Sequence, residues 1–228
     1  MQQNRWDEVD RYISGLLLRP GPALIEALAT SDQAGLPAIA VSPPHGKLLH
    51  LLAAAIGARR ILEIGTLGGY STIWLARALP ADGRLITLEV DPKHAEVARA
   101  NIARAGVADR VELRLGPALE TLPTIAAESR EPFDLIFIDA DKENIAPYFE
   151  WSLRLARRGT LILVDNVVRA GAVVDAASDD SRVQGVRRFM DVLAREERVS
   201  ATVIQTVGVK GYDGLAVVLV TADPAGGA

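Results

Sequence analysis

From residue 58 onward, short apolar runs alternate with stretches that read as helices. The runs are "RILEIG" (60–65), "RLITLE" (84–89), "RVELRL" (110–115), "FDLIFID" (133–139) and "TLILVD" (160–165). Most are continuously apolar, as parallel strands covered on both faces must be. Between them lie "YSTIWLARAL", "PKHAEVARANIARAG", "ALETLPTIAAE" and "ENIAPYFEWSLRLA". This alternation predicts an α/β fold built on a doubly wound, mostly parallel sheet. A last helix, "VQGVRRFMDVLARE", precedes "SATVIQTV" and "GLAVVLV", which are joined by the turn-rich "GVKGYDG" (208–214). These two form an antiparallel hairpin on the sheet edge and bring the strand count to seven.

Ahead of the sheet, helices are expected. "VDRYISGLL" sets Val9, Tyr12, Ile13, Leu16 and Leu17 at helical spacing. Pro22 opens "PALIEALA". "AVSPPHG" (40–46) is a loop in which Ser42 caps "GKLLHLLAAAIG". One domain is expected, with N-terminal helices and a lid over 1–45, an α/β core over 58–222, and a disordered tail, "DPAGGA", over 223–228.

The bulk numbers narrow the partners. The 228 residues carry a net charge of −4 with no basic patch, so nucleic acid is not expected. There is no cysteine, hence no disulfide framework. No apolar run is long enough to span a bilayer, and the polar N-terminus lacks a signal core. A cytoplasmic protein is the default expectation.

Chemistry enters at "ILEIGTLGGYST", a strand, a glycine-rich turn and a helix start. Glycines at 65, 68 and 69 allow a tight turn and close approach to a ligand, and the helix N-terminus beyond favours anionic or polar groups. The nicotinamide fingerprint G-x-G-x-x-G fails, because Leu67 and Tyr70 stand at its second and third glycines. Glu89 closes the second strand 20 residues past Gly69, where a nucleoside site keeps a carboxylate for the ribose hydroxyls. Glu63 lies inside an apolar strand and needs a partner, which a cationic ligand such as a sulfonium amino acid supplies.

A second group gathers at other strand ends. Asp139 ends the fourth strand, and Asp165 and Asn166 end the fifth. In a doubly wound sheet these ends border the switch-point crevice. Two carboxylates and a carboxamide suit a hard divalent cation and leave room for water or substrate. The alternatives are that Asp139 and Asp141 cap the helix that follows, and that Asp165 and Asn166 make a turn. His45, His50 and His94 lack metal-pair spacing and read as structural or surface residues.

Taken together, "LEIGTLGGYS", "DADK" and "VDN" resemble the cation-dependent, S-adenosylmethionine-dependent O-methyltransferases of the caffeoyl-CoA and catechol type. The likeness runs from about "AVSPPHGKLL" to "GYDGLAVVLV". It implies a Rossmann-like methyltransferase fold and a homodimer. It also implies that Asp139, Asp165 and Asn166 hold the cation, with Mg²⁺ expected and Ca²⁺ or Mn²⁺ as alternatives, and that Lys142 is the general base. Glu89 would bind the ribose, and Glu63, Gly65, Thr66 and Ser71 would line the amino-acid end of S-adenosylmethionine. Val41 and Ala118 would flank that ligand. Asp141 would face it or orient Lys142. Two positions depart from the family pattern. Ile145 stands where an aromatic is common, and Arg169 replaces a tryptophan after "DNV". Arg169 either meets an acidic acceptor or is a solvated loop charge.

The implied reaction is an in-line methyl transfer to one hydroxyl of a small vicinal dihydroxy aromatic. A phenol has a pKa near about 10, and a cation chelating both oxygens lowers it. The same cation favours the neutral amine of Lys142, which then takes the proton. Two competing classes are a nicotinamide oxidoreductase on a similar sheet and a non-catalytic S-adenosylmethionine-binding protein.

Overall fold

A computed structural model of the chain describes residues 2–128 and 131–223. The tail expected over 223–228 therefore lies outside the described residues except for Asp223, whose carboxylate accepts the Arg158 N–H at 2.8 Å. The strands form one seven-stranded sheet in the order β3-β2-β1-β4-β5-β7-β6. This is the mostly parallel, doubly wound sheet with an antiparallel C-terminal end that the apolar runs predict. The chain packs as two compact units, one over the described residues of 1–117 with 208–210, the other over 118–207 with 211–223.

The first unit opens with α1 (Gln2–Leu17), α2 (Pro22–Gln33) and α3 (Pro43–Ala55). Helix α1 begins earlier than its apolar spacing indicates, through the exposed polar residues 2–5. Ser42 caps α3 as expected, accepting the His45 N–H at 3.3 Å. Strands β1 (Arg60–Ile64), β2 (Arg84–Glu89) and β3 (Val111–Leu115) alternate with α4 (Tyr70–Ala76) and α5 (Pro92–Arg104). β1 and β2 pair in parallel, with Glu63 opposite Thr87. Ile61, Leu62 and Ile64 are fully buried, and all seven residues of α4 are buried, as both-face coverage requires.

The second unit holds α6 (Ala118–Glu128), β4 (Phe133–Ile138), α7 (Ile145–Arg154), β5 (Ala156–Asp165), α8 (Ser181–Arg195), β6 (Val199–Gly208) and β7 (Gly211–Val220). The stretch read as one helix from Glu143 divides. A 3₁₀ turn covers Lys142–Asn144, and α7 starts only at Ile145. β5 starts at Ala156, four residues early. A register irregularity between Phe133 and Leu135 accommodates this extension, and Thr160 Oγ1 fills it by donating to Phe133 O at 2.7 Å. β7 runs antiparallel to β5 and sets Leu215 opposite Asp165.

Candidate active site

Two groups of functional side chains arise, one in each unit. In the first unit the glycine turn after β1 is bound on all sides. Gly65 and Gly69 have φ of 100° and 81°, and Leu67 sits at φ 50°, so the turn needs left-handed backbone at three of five positions. Gly68 has no room for a side chain. A Cβ there would overlap the Ser31 hydroxyl and lie 3.2 Å from Ser31 Cβ. Asn101, buried on α5, donates to Gly68 O at 2.9 Å and accepts the Thr30 hydroxyl at 2.6 Å.

Glu89 closes this turn. Its Oε2 accepts the N–H groups of Leu67 at 2.7 Å and Thr66 at 3.3 Å. Its Oε1 accepts those of Val90 at 2.9 Å and Asp91 at 3.0 Å. One carboxylate thus ties the glycine turn to the loop after β2. His94 Nδ1 lies 3.5 Å from the same Oε1. Thr66 places its hydroxyl 2.6 Å from that of Thr87. Val41 is buried in its loop before α3.

Glu63, fully buried, finds partners within the protein. Ser71 donates to Oε1 at 2.6 Å, and Thr72 and Thr87 donate to Oε2, the latter at 2.7 Å. Sequence reading missed Thr72, Thr87 and Asn101. The signal for Thr87 is a polar residue in the centre of an otherwise apolar strand, placed opposite Glu63 by the register.

In the second unit the end of β4, the 3₁₀ turn and the end of β5 gather Asp139, Lys142 and Asp165. Lys142 Nζ donates to Asp139 Oδ1 at 2.9 Å, and both side chains are largely buried. Asp165 is 6% exposed. Its Oδ1 accepts the Asn166 N–H at 2.8 Å. Burial raises the Asp165 carboxyl to about 8, the charge of Asp139 adds to the rise, and Lys142 opposes it. Asn166 is left-handed at φ 58°, a conformation asparagine tolerates in turns.

Asp141 corrects one expectation. Its carboxylate does not cap the turn that follows. It accepts the Tyr148 hydroxyl at 2.5 Å and the Asn144 carboxamide at 2.5 Å. Burial, with that bond to Asp141, pushes the Tyr148 phenol above its ordinary range. Ala118 opens α6 and is half-buried. Ile145 is fully buried at the start of α7.

Arg169 is not a solvated charge. It is left-handed at φ 56°, and Nη1 lies 3.8 Å from Asp213 Oδ2 with both side chains 22% exposed. Asp213, which sequence reading left in a turn, organises this loop. Its Oδ1 accepts the N–H groups of Val168, Arg169 and Gly214, each at 2.9 Å.

A divalent cation fits this donor set. Burial and the charge of Asp139 both penalise an ionised Asp165, and Lys142, which donates to Asp139, opposes that penalty. A cation would reverse that cost. Among the described residues no group of three or more His, Cys, Asp or Glu side chains is placed to hold a metal.

Comparison with known proteins places the chain in a class. The O-methyltransferase family model matches residues 22–219. A catechol O-methyltransferase of Mycobacterium tuberculosis is 57% identical, over 96% of this chain and 98% of that protein. The crystal structure of a Bacillus cereus O-methyltransferase in complex with SAH superposes with a TM-score of 0.94 at 56% identity, covering 96% of this chain and 99% of that one. An O-methyltransferase of tomaymycin synthesis from Streptomyces achromogenes, in complex with SAM, gives 0.95 at 54% identity, covering 97% and 100%. The chain belongs to this family of S-adenosylmethionine-dependent O-methyltransferases. Among the described residues no helix is long and apolar enough to cross a membrane.

Proposed function

We propose that this enzyme moves the methyl group of S-adenosylmethionine to one hydroxyl of a catechol-type small molecule and requires a divalent cation, Mg²⁺ in the first instance. The observation that supports this most is the buried Asp165 beside the half-buried Asp139, with Lys142 donating to the latter. Two carboxylates and a lysine in one buried cluster suit an acceptor that chelates a cation and loses a proton. The relative named catechol O-methyltransferase supports the same acceptor class.

In this reading Asp139, Asp165 and Asn166 hold the cation. When bound, it lowers the pKa of the acceptor hydroxyl and orients the two vicinal oxygens. Lys142 takes the proton at Nζ, which Asp139 aims through its 2.9 Å hydrogen bond. In the first unit, Glu89 faces the ribose of the donor, Glu63, Gly65, Thr66 and Ser71 line its amino-acid end, and Val41 flanks the ligand. Glu63 acts by holding the Ser71 and Thr72 hydroxyls in place. Ala118 flanks the donor in the same reading, and Asp141, fixed by Tyr148 and Asn144, faces it. The same reading places a homodimer in the cytoplasm, acting on a small aromatic molecule and not on nucleic acid or membrane.

The test is transfer of labelled methyl from S-adenosylmethionine to a panel of catechols, with Mg²⁺ and with EDTA. Transfer that disappears with EDTA supports the reaction and the cation together. Transfer that persists in EDTA removes the cation from the proposal. Donor binding with no transfer to any catechol removes the acceptor class.

A further inference from the structure

Helix α8 meets the turn that carries Lys142 with one face. Ser181, Gly185 and Arg188 stand at i, i+4 and i+7, so they line one side of the helix. Ser181 Oγ donates to Glu143 Oε1 at 2.7 Å. Arg188 donates from its guanidinium to the Glu143 carbonyl at 3.1 Å. Between them Gly185 contributes only backbone. A Cβ there would lie 2.8 Å from Lys142 C and from Glu143 Cα, and closer still to Lys142 O. All three are main-chain atoms that no rotamer change can move aside.

A glycine inside a helix costs about 1 kcal/mol relative to alanine. At Gly185 that cost has a direct return, because only a bare helix face lets α8 approach the turn this closely. The helix is rigidly seated for the purpose. Asp180 caps it by accepting the Arg182 N–H at 2.9 Å, Val183 and Val186 are buried, and Phe189 packs edge-to-face on Phe149 with ring centroids 5.3 Å apart. Asn144 and Tyr148 hold the start of the same turn through Asp141.

We infer that Gly185 is a positioning residue for Lys142: the bare α8 face seats the Lys142–Asn144 turn so that the ammonium meets Asp139. The inference rests on the reading of Lys142 as the base that takes the acceptor proton. It goes beyond that reading by placing a determinant of turnover 43 residues further along the chain.

The test uses Gly185→Ala in the full chain, with Gly15→Ala as control, since a Cβ at Gly15 meets nothing within 4 Å. Two measurements are made. One is amide hydrogen exchange of the peptide spanning residues 139–146. The other is a kinetic cycle of Gly185→Ala, Lys142→Ala and the double variant, with 3,4-dihydroxybenzoate, S-adenosylmethionine and Mg²⁺, alongside calorimetric donor binding. Gly185→Ala is expected to speed exchange in that peptide about tenfold without doing so along β1 to β3. It is expected to lower kcat roughly tenfold to a hundredfold, to leave donor affinity unchanged, and to add nothing in the Lys142→Ala background. Exchange that rises evenly over the chain, or an additive double variant, makes Gly185 a packing residue and overturns the inference. Normal turnover by Lys142→Ala instead overturns the base reading, a separate result. If Gly185→Ala does not fold, Ser181→Ala serves in its place. It removes one surface hydrogen bond and is expected to give the same local pattern at a few-fold size. An unchanged exchange rate over 139–146 in that variant counts against the inference.

Discussion

Leu67, left-handed at φ 50°, gives its backbone N–H to Glu89 Oε2 at 2.7 Å. That bond makes the acid at the end of β2 a structural part of the glycine turn as well as a candidate ribose ligand. Glu89→Ala removes an acceptor from four N–H groups at once. Hydrogen bonds to a charged group are worth about 1.5–3 kcal/mol each, less where water can replace the partner. The variant is expected to bind S-adenosylhomocysteine at least about tenfold more weakly by calorimetry and to unfold several degrees lower. Full donor affinity in a folded variant would show that the turn holds its shape without Glu89.

Glu63 predicts a stability effect larger than its distance from solvent suggests. Glu63→Ala leaves the hydroxyls of Ser71, Thr72 and Thr87 without their shared acceptor. Each unsatisfied buried polar group costs about 1–3 kcal/mol. At about 2–4 °C per kcal/mol for a chain of this size, the thermal midpoint should fall by roughly 5 °C or more. A midpoint within a degree of the wild type would refute the account.

Gly68 and Ser31 form a steric pair. Gly68→Ala drives its Cβ into the Ser31 hydroxyl and is expected to lower stability by about 1–3 kcal/mol. Ser31→Gly in the same chain removes both the hydroxyl and the Cβ that are in the way. The double variant should therefore be more stable than additivity predicts. Strict additivity of the two changes would place the cost in the backbone alone.

Asp165 predicts a pH dependence. Its folded carboxyl lies near about 8, above the unfolded value of about 4. Between those values the native protein holds a proton that the unfolded chain has lost. The stability this gives is full below about pH 4 and is lost as pH rises toward about 8. In EDTA, then, the thermal midpoint should fall as pH is raised from about 5 to 8. Asp165→Asn should flatten the fall, and excess Mg²⁺ at about pH 8 should recover the midpoint. A midpoint in EDTA that holds level across that range would contradict the burial argument.

Asp213 predicts a change in the loop after β5. Asp213→Ala strips the acceptor from Val168, Arg169 and Gly214, in a segment where Asn166, Arg169 and Ala170 are all left-handed. The expected result is faster amide exchange over 166–171, with a loss of about 2–4 kcal/mol in stability. Unchanged exchange there would mean that the Asp213 carboxylate does not hold the loop through these N–H groups.

How far the sequence can be read depends on the distance over which an interaction acts. Strand and helix positions follow from local periodicity, so the alternation from Arg60 to Asp165 was legible, and so was the Ser42 cap. Glu63, Glu89, Asp139 and Asp165 stood out as charges at strand positions. Their partners did not. Thr87 reaches Glu63 only through the β1–β2 register, and Tyr148 reaches Asp141 only because a 3₁₀ turn precedes α7. Asp213 was hidden in a run of glycines and turn formers, where one carboxylate looks like a solvated turn residue. Gly185 was invisible for a related reason. A glycine in a helix announces a cost, and only the neighbouring backbone shows what occupies the space.

The bond from Asp213 to Val168 spans 45 residues, and it closes the loop that carries Asn166. A ribosome therefore makes the acid cluster in two instalments. Asp139, Lys142, Asp165 and Asn166 all emerge before β7, which carries the Asp213 that fixes the loop of Asn166. Until β7 docks along β5, a nascent chain carries every one of these side chains without the frame that aligns them. The loop that carries Asn166 is closed only once β7 has been made, and a chain without β7 lacks the Asp213 carboxylate that closes it.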